Sequence, residues 1–158
     1  MGLDIVAYSK LVLEPNGDRE EGNYNVGCFY PQTFKQQYEP LIEGQYYKSE
    51  NDSISFKAGS YGGYNHWRNQ LAQLIYKTDA KVIWEDIDKY RGKPFINLIH
   101  FSDCEGTIGS VASKQLAKDF QDYQYLVDED LDVYFKEKYS EWRNAFELAS
   151  DDGAVVFC

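Results

Sequence analysis

The sequence predicts a single α+β domain, with a mainly antiparallel sheet and about four helices packed on it. Short apolar segments with strand character lie at both ends of the chain, and several longer segments carry apolar side chains at helical spacing. Strands and helices do not alternate strictly, as they would in a parallel α/β fold. The chain has 158 residues, which is one domain in length and enough to bury a core without disulfides or a metal.

The first third of the chain contains one clear strand and one irregular segment. Leu3–Tyr8 is apolar and predicts a strand, which Lys10–Leu13 extend before a turn at Pro15–Asp18. Residues 19–52 show no clean periodicity and are predicted to be an aromatic-rich flap or an irregular insertion. Their aromatic side chains, some of which are expected to face a partner, are Tyr24, Phe29, Tyr30, Tyr38, Tyr46 and Tyr47.

The middle of the chain predicts a strand, a glycine-rich turn and two helices. Ile54, Phe56 and Ala58 alternate with polar residues, as they would in a half-buried strand. Gly59–Gly63 then form the turn. The apolar positions are Tyr64, Trp67, Leu71, Leu74 and Ile75 in the first helix, and Ile83, Trp84, Ile87 and Tyr90 in the second, shorter one.

The last third of the chain predicts a buried strand, two helices and a final strand. Phe95–Phe101 is the most apolar short run, which is typical of a central strand. The next helix begins at a cap, Ser110 or Ser113, and the last helix ends at Gly153 in a left-handed cap before the strand Ala154–Phe157. The apolar positions of the last helix are Leu131, Phe135, Tyr139, Trp142, Phe146 and Ala149.

The formal net charge is −10, and the acidic residues concentrate at the C-terminal end. Residues 118–158 hold 11 acidic and 4 basic side chains, whereas residues 51–117 hold 7 and 8. An acidic surface repels phosphate backbones, so direct binding of nucleic acid is not expected. The sequence has no apolar run of membrane-spanning length and no leader pattern, so we expect a cytoplasmic protein whose three cysteines are reduced.

Two segments with the same predicted form, a strand, a polar turn with glycine and a helix, concentrate the chemically active residues. They are residues 57–71 and 100–110, and they hold His66, His100 and Cys104. Loops at strand ends are common positions for functional sites, because a rigid scaffold holds them. We therefore expect the functional site in these two segments.

Cys104 is the candidate nucleophile, with His100 or His66 as its base. The flanking carboxylates of Asp103 and Glu105 oppose that role, because negative charge raises the pKa of a thiol. The alternative is a partly buried thiol that only fills a turn. The sequence has no Cys-x-x-Cys or His-Glu-x-x-His spacing, so neither a metal nor another cofactor is predicted.

The glycine-rich turn Gly59–Gly63 is a candidate anion site, because free N–H groups at the start of a helix attract negative charge. Arg68 would add a bidentate donor, and as a ligand-binding residue it is expected to be replaceable by alanine with little loss of stability. The alternative is that the glycines only permit positive φ. The predicted ligand-binding residues are Ser60, Tyr61, Tyr64, Asn65, Arg68, Ser102, Asp103 and Glu105.

Four blocks of the sequence carry a resemblance: MGLDIVAYSK, FKAGSYGGYNHWRNQLA, INLIHFSDCEGTIG and EWRNAFELASDDGAVVF. Together they resemble a family of small uncharacterised proteins from bacteria, prophages and phages. The resemblance implies a protein of the cell interior, of phage or mobile-element origin. It implies no catalytic residue, and it rests above all on the GSYGGYNHWR and FSDCEG blocks.

Three classes of function follow from these observations. The preferred class is a non-enzymatic binding module, which binds a protein partner or sequesters a small anionic ligand, and which in a phage would interfere with a host defence system. The uneven charge, the 14 tyrosines and the missing catalytic signatures favour it. The alternatives are a hydrolase or transferase that uses Cys104, and an acidic nucleic-acid mimic that uses the carboxylates of Asp119–Asp152.

Overall fold

The computed structural model describes residues 2–29 and 34–158 and confirms an α+β domain within them. The described residues form seven strands: β1 (Gly2–Tyr8), β2 (Val12–Leu13), β3 (Val26–Gly27), β4 (Tyr46–Lys48), β5 (Ile54–Ser60), β6 (Gly106–Gly109) and β7 (Ala154–Phe157). They also form a 3₁₀ helix at Lys35–Gln37 and seven α-helices: α1 (Tyr61–Tyr76), α2 (Ala80–Glu85), α3 (Ile87–Tyr90), α4 (Ile96–Ile99), α5 (Ser110–Asp122), α6 (Gln124–Asp128) and α7 (Val133–Ala149).

The larger sheet has the strand order β5-β1-β7-β6, and every neighbouring pair is antiparallel. The strands predicted at the two ends of the chain are confirmed as β1 and β7, and they lie at the centre of this sheet. Ile5 of β1 lies opposite Phe56 of β5 and opposite Phe157 of β7. Cross-strand apolar neighbours of this kind stabilise a sheet and set its register.

The two faces of this sheet are covered by different parts of the chain. α1, α5 and α7 pack on the face that carries Leu3, Ile5 and Ala7, as predicted for helices on one face. The opposite face carries Tyr8 and Val156 and contacts the smaller sheet, whose order is β2-β4-β3. The buried residues of this second cluster are Val26, Cys28, Leu41, Tyr47 and Ala154.

The main core is centred on α1 and α7, which confirms their predicted helical spacing. Trp67 and Trp142 are fully buried and stack with their ring centroids 5.9 Å apart. The Nε1–H of Trp67 donates to the carbonyl oxygen of Phe135 at 3.2 Å, so the polar atom of this buried indole is satisfied. In the described part of the chain, no helix combines the length and the apolar character needed to cross a membrane.

The prediction of a strand over Phe95–Phe101 is wrong. The segment contains the helical turn α4, with backbone bonds from Ile99 N to Phe95 O at 2.8 Å and from His100 N to Ile96 O at 2.9 Å. Phe95 has a φ of 64°, and the buried carboxylate of Asp119 accepts its N–H at 3.0 Å. A continuous apolar run indicates burial, but it does not distinguish a strand from a buried helical turn.

The prediction of a glycine-rich turn at Gly59–Gly63 is also wrong, because β5 passes directly into α1. β5 runs to Ser60 and α1 begins at Tyr61. Gly59 makes the corner with a φ of 119°, which a residue with a side chain rarely adopts. The hydroxyl of Ser60 caps the helix by accepting the N–H of Gly63 at 2.9 Å.

Other element boundaries differ from the predictions for local reasons. Lys10 has a φ of 49°, so the chain bends and Val12–Leu13 join the smaller sheet instead of extending β1. The predicted second helix is two short helices that meet at Asp86. Leu131 precedes α7 and is 95% exposed, so it is not a core residue.

The helix ends are also built differently from the predictions. α5 begins after Gly109 without a side-chain cap, so neither Ser110 nor Ser113 is the N-cap. The left-handed residue after α7 is Asp152, with a φ of 50°, rather than Gly153. Gly153 is required for another reason, because a Cβ there would lie 1.7 Å from the carbonyl oxygen of Tyr8.

The described parts of residues 19–52 contain β3, the 3₁₀ helix and β4. Three of their aromatic rings pack on one another, since the centroid of Tyr46 lies 4.5 Å from that of Tyr24 and 5.0 Å from that of Phe29. Tyr47 is buried in the second cluster, and Tyr30 lies outside the described residues. The side chains of Tyr24, Phe29, Tyr46 and Tyr47 therefore contribute to packing, and a role in contacting a partner stays a prediction.

Candidate functional site

A cavity of about 420 Å³ opens where α1, α2 and the segment after α4 meet. This volume lies in the range of small-molecule binding sites. The cavity brings the two segments singled out in the sequence into one place. Its lining residues are Asn65, Arg68, Trp84, His100, Phe101, Ser102 and Asp103.

Arg68 is the cation of this cavity and is only 3% exposed. Its Nη1 donates to the carbonyl oxygen of Phe101 at 2.5 Å, and its Nη2 donates to Oδ1 of Asn65. The ring centroids of Tyr64 and Trp84 each lie 4.9 Å from its Cζ. Two hydrogen bonds and two cation–π contacts therefore hold the guanidinium in one orientation.

The charge of Arg68 is compensated only indirectly. Among residues 2–29 and 34–158, no ion pair involves its guanidinium. Asp103 reaches it through Asn65, whose Nδ2 donates to Oδ2 of Asp103 at 2.8 Å. A buried charge without a direct counter-ion costs free energy. The Nε–H of Arg68 is buried as well, and it has no hydrogen-bond partner in the described part of the chain.

His100 lies beside Arg68 and contacts the segment that contains the 3₁₀ helix. The ring centroid of Phe34 lies 5.1 Å from that of His100, and Nε2 of Gln37 donates to the carbonyl oxygen of His100 at 2.6 Å. Burial lowers the pKa of His100, and the charges of Arg68 and Arg91 lower it further. The imidazole is therefore neutral at neutral pH, and it adds no charge to the cavity.

The sequence pattern missed two residues of this cavity, Phe101 and Trp84, and of these only Trp84 lies outside the two predicted segments. Trp84 was instead assigned to the core. The helical spacing placed it on the apolar face with Ile83, but Ile83 is buried and Trp84 is 38% exposed. Adjacent residues of a helix point about 100° apart, so both cannot face the core. Nε1 of Trp84 donates to the carbonyl oxygen of Ile99 at 2.7 Å, which fixes the indole at the cavity.

The turn after Phe101 forms the polar edge of the cavity. The hydroxyl oxygen of Ser102 accepts the N–H groups of Cys104 and Glu105, both at 3.2 Å. This local bonding closes the turn and orders Asp103 within it. The prediction of a strand before this turn and a helix after it is wrong here, because α4 precedes the turn and β6 follows it.

Four of the predicted ligand-binding residues do not line this cavity. Ser60 caps α1, Tyr61 packs at the edge of the main core, and Glu105 lines a second cavity of about 340 Å³. Tyr64 is fully buried, and burial raises its pKa to about 12. The start of α1 and Arg68 do not form one anion site, because Arg68 follows Ser60 by eight positions along the helix, an axial rise of about 12 Å.

The structure separates the candidate nucleophile from both candidate bases. Cys104 lines the second cavity, where its thiol lies 3.5 Å from the hydroxyl of Ser102, whereas His100 lines the first. His66 is exposed on α1, near Asp132. Within residues 2–29 and 34–158, no group of three His, Cys, Asp or Glu side chains is placed to hold a metal ion.

Comparisons with known proteins do not identify the chain. No family model, no curated protein and no solved structure matches it. The resemblance to bacterial, prophage and phage proteins therefore stays a prediction. The chemistry of the Arg68 cavity is the remaining guide to the function.

Proposed function

We propose that this chain is a small-molecule binding protein, which holds an anionic group of its ligand, a carboxylate or a phosphate, beside Arg68. One observation carries the proposal: the Arg68 guanidinium is 3% exposed and forms no ion pair with the described carboxylates. A buried cation is stabilised when an anion binds next to it. A ligand would supply that anion.

The geometry of Arg68 suits this role. A guanidinium has five N–H donors, and the hydrogen bonds to Phe101 and Asn65 use two of them. Its side chain is already immobilised between Tyr64 and Trp84, so little conformational entropy is lost when the ligand binds. Charge-assisted hydrogen bonds from such a group are about twice as strong as those between neutral groups.

The surroundings of the cavity oppose an anionic group less than the rest of the chain does. The cavity lies in residues 51–117, where acidic and basic side chains nearly balance, and the acidic excess lies in residues 118–158. His100 is neutral at neutral pH when the site is empty, because burial and then the charges of Arg68 and Arg91 lower its pKa. A bound anion would raise the pKa of His100, since an opposite charge nearby favours the imidazolium.

The two alternative functions have less structural support. Cys104 and His100 line different cavities, and among the described residues no hydrogen bond joins the Cys104 thiol to an imidazole. A nucleic-acid mimic needs a line of free carboxylates, but Asp119 is buried and four other carboxylates of the stretch form ion pairs. Those four are Asp122, Glu141, Glu147 and Asp151.

A titration followed by NMR tests the proposal. The chain has three tryptophans, and the indole N–H signal of Trp84, assigned with Trp84→Phe, reports on the cavity. We expect 3-phenylpropionate or phenyl phosphate to shift this signal at millimolar concentration. The signals of the fully buried Trp67 and Trp142 should stay in place. The proposal fails if neither probe shifts the Trp84 signal.

A pair of arginine variants separates the cavity from general charge effects. Arg68→Gln removes the cation, and we expect it to weaken binding of either probe at least about tenfold. Arg143→Gln is the matched control, because it removes the same charge from α7, where Arg143 pairs with Glu147. Equal weakening by both variants would assign the binding to net charge and would contradict the proposal.

A second candidate function, binding of a protein partner, is favoured by the corner between α6 and α7. Leu131, Val133 and Tyr134 are 95%, 66% and 48% exposed, and the acidic residues 128–130 lie next to them. Exposed apolar side chains beside charged ones are typical of protein contact surfaces. We propose a basic protein surface as the partner, because its charge would complement these carboxylates.

Photo-crosslinking in cells tests this second candidate. A photoreactive amino acid is placed at position 131, and at position 13 as the control, where Leu13 is 50% exposed in the smaller sheet. We expect a defined crosslinked product from position 131 alone, and its loss in extracts at high salt. Equal products from both positions would contradict a contact surface at this corner.

A further inference from the structure

We infer that the ligand is a zwitterion of the α-amino-acid class, whose carboxylate binds Arg68 and whose ammonium group binds Asp103. The inference rests on the proposed function, because it assumes that the cavity beside Arg68 is the binding site. It adds a second charged group to the ligand and assigns the residue that recognises it. Asp103 is then the residue that determines specificity.

The charges that line the cavity are the first reason. Arg68 carries one positive charge, Asp103 carries one negative charge, and His100 is neutral at neutral pH. A ligand with only a carboxylate would be attracted by Arg68 and repelled by Asp103. A ligand with only an ammonium group would be attracted by Asp103 and repelled by Arg68. A molecule with both charges satisfies both side chains, because its charge pattern is complementary to theirs.

The placement of the two charges is the second reason. Asn65 lies between them: its Oδ1 accepts from Arg68 and its Nδ2 donates to Asp103 at 2.8 Å. Two hydrogen bonds joined through one amide set the guanidinium nitrogen and the carboxylate oxygen roughly 5–7 Å apart. The carboxylate and ammonium groups of an α-amino acid are attached to the same α-carbon. One such molecule can therefore place its carboxylate against Arg68 and its ammonium group against Asp103.

Both side chains have hydrogen-bonding capacity left for a ligand. The hydrogen bonds that Arg68 forms with described residues use two of its five N–H donors, and its buried Nε–H has no partner among those residues. Within residues 2–29 and 34–158, Asp103 accepts a hydrogen bond from Asn65 alone, and a carboxylate has about four acceptor positions. An ammonium group, with three N–H donors, can therefore bind Asp103 without displacing Asn65.

The rest of the lining allows room for a side chain. Trp84 and Phe101 supply aromatic surface to the same cavity, whose volume is about 420 Å³. Aromatic walls with a few polar groups are typical of sites for small ligands. We therefore choose probes that share one phenyl ring and differ only in their charged groups.

Three probes test the inference on the unmodified protein: L-phenylalanine, 3-phenylpropionate and 2-phenylethylamine. We expect L-phenylalanine to bind at least about tenfold more tightly than either other probe, because a charged hydrogen bond is gained in each comparison. Equal or tighter binding of 3-phenylpropionate would overturn the inference and leave the proposed function intact. If none of the three shifts the Trp84 signal, the inference fails, and the proposed function fails with it when phenyl phosphate also leaves the signal in place.

An isosteric variant assigns the preference to Asp103. Asp103→Asn keeps an oxygen that can accept from Asn65, so the turn retains its bonding. We expect it to weaken L-phenylalanine about tenfold or more and to leave 3-phenylpropionate as tight or tighter. Glu105→Gln is the control, because it removes the same charge from the same turn but lies at the second cavity. If Glu105→Gln has the same effect as Asp103→Asn, recognition by Asp103 is wrong.

Discussion

The Nη1 of Arg68 donates a 2.5 Å hydrogen bond to the carbonyl oxygen of Phe101. This bond joins α1 to the residue that immediately precedes the turn Ser102–Glu105. The side chain proposed to bind the ligand therefore also holds two parts of the fold together. The expectation that Arg68→Ala leaves stability nearly unchanged does not fit this position, because Arg68 is almost completely buried.

We predict that Arg68→Ala lowers the free energy of unfolding by about 3 kcal/mol, since hydrogen bonds to a charged group contribute about 1.5–3 kcal/mol each. Urea denaturation measures this loss. The control is Arg143→Ala, which breaks a partly exposed ion pair with Glu147 and should cost less than about 1 kcal/mol. Equal losses for the two variants would show that the contacts of Arg68 do not stabilise the fold.

Two glycine substitutions should have opposite effects on stability. Gly153→Ala places a Cβ 1.7 Å from the backbone oxygen of Tyr8, which no side-chain rotation can relieve. We expect a loss of about 3 kcal/mol or more, as in severe overpacking. Gly62 lies in α1, and a Cβ added there has no atom within 4 Å. Gly62→Ala should therefore raise the free energy of unfolding by about 0.5–1 kcal/mol, because alanine has the higher helix propensity. Thermal melts of both variants measure the difference, and a tolerated Gly153→Ala would contradict the close approach.

Asp119 should make a pH-dependent contribution to stability. Burial raises its pKa from the ordinary value of 3.8, although the N–H groups of Phe95 and Gln115 donate to it. The folded chain then holds this proton more tightly than the unfolded chain does. Its contribution to stability is therefore largest at low pH, falls as the pH rises above 3.8 through the raised value, and is constant beyond that.

Asp119→Asn removes this titration and keeps an acceptor for the N–H of Phe95. We expect the stability of the variant relative to the unmodified protein to increase as the pH rises above 3.8, in urea denaturation at a series of pH values. Asp119→Ala is the control, because it leaves the Phe95 N–H buried without its acceptor and should be about 1–3 kcal/mol less stable than Asp119→Asn at every pH. A relative stability of Asp119→Asn that falls as the pH rises would contradict a raised pKa of Asp119 in the folded chain.

The three cysteines should differ in their rates of alkylation. Cys28 is 1% exposed, and burial raises its pKa to about 11, so little of it is thiolate. Cys104 and Cys158 are exposed, but burial of the thiol and the charge of Asp4 raise the pKa of Cys158. We expect iodoacetamide at about pH 8 to modify Cys104 first, then Cys158, and Cys28 only after unfolding.

Peptide mass spectrometry over time measures these rates. The control is the chain unfolded in urea, in which burial no longer acts and all three thiols should react at similar rates. Rapid modification of Cys28 in the folded chain would contradict its position between the two sheets.

The elements that were predicted correctly have a periodicity that agrees with their final burial. In β5 the side chains alternate, and in α7 the residues Phe135, Tyr139, Trp142 and Phe146 all reach the core. The segment Phe95–Phe101 was predicted wrongly because all its apolar residues are buried, and uniform burial carries no period. Its conformation depends on the carboxylate of Asp119, which lies 24 residues away.

The sequence alone predicted the α+β class, the strands β1 and β7, and the long helices, because these depend on residues close together in the chain. The tertiary structure decided that β1 and β7 form the centre of the sheet. The sequence also indicated that Asn65, Arg68, Ser102 and Asp103 belong to a site. Only the tertiary structure decided that they share one cavity with Trp84, and that Arg68 is buried. The contacts responsible join residues 33 and 38 positions apart, and the burial of a charged side chain depends on such distant neighbours rather than on its own segment.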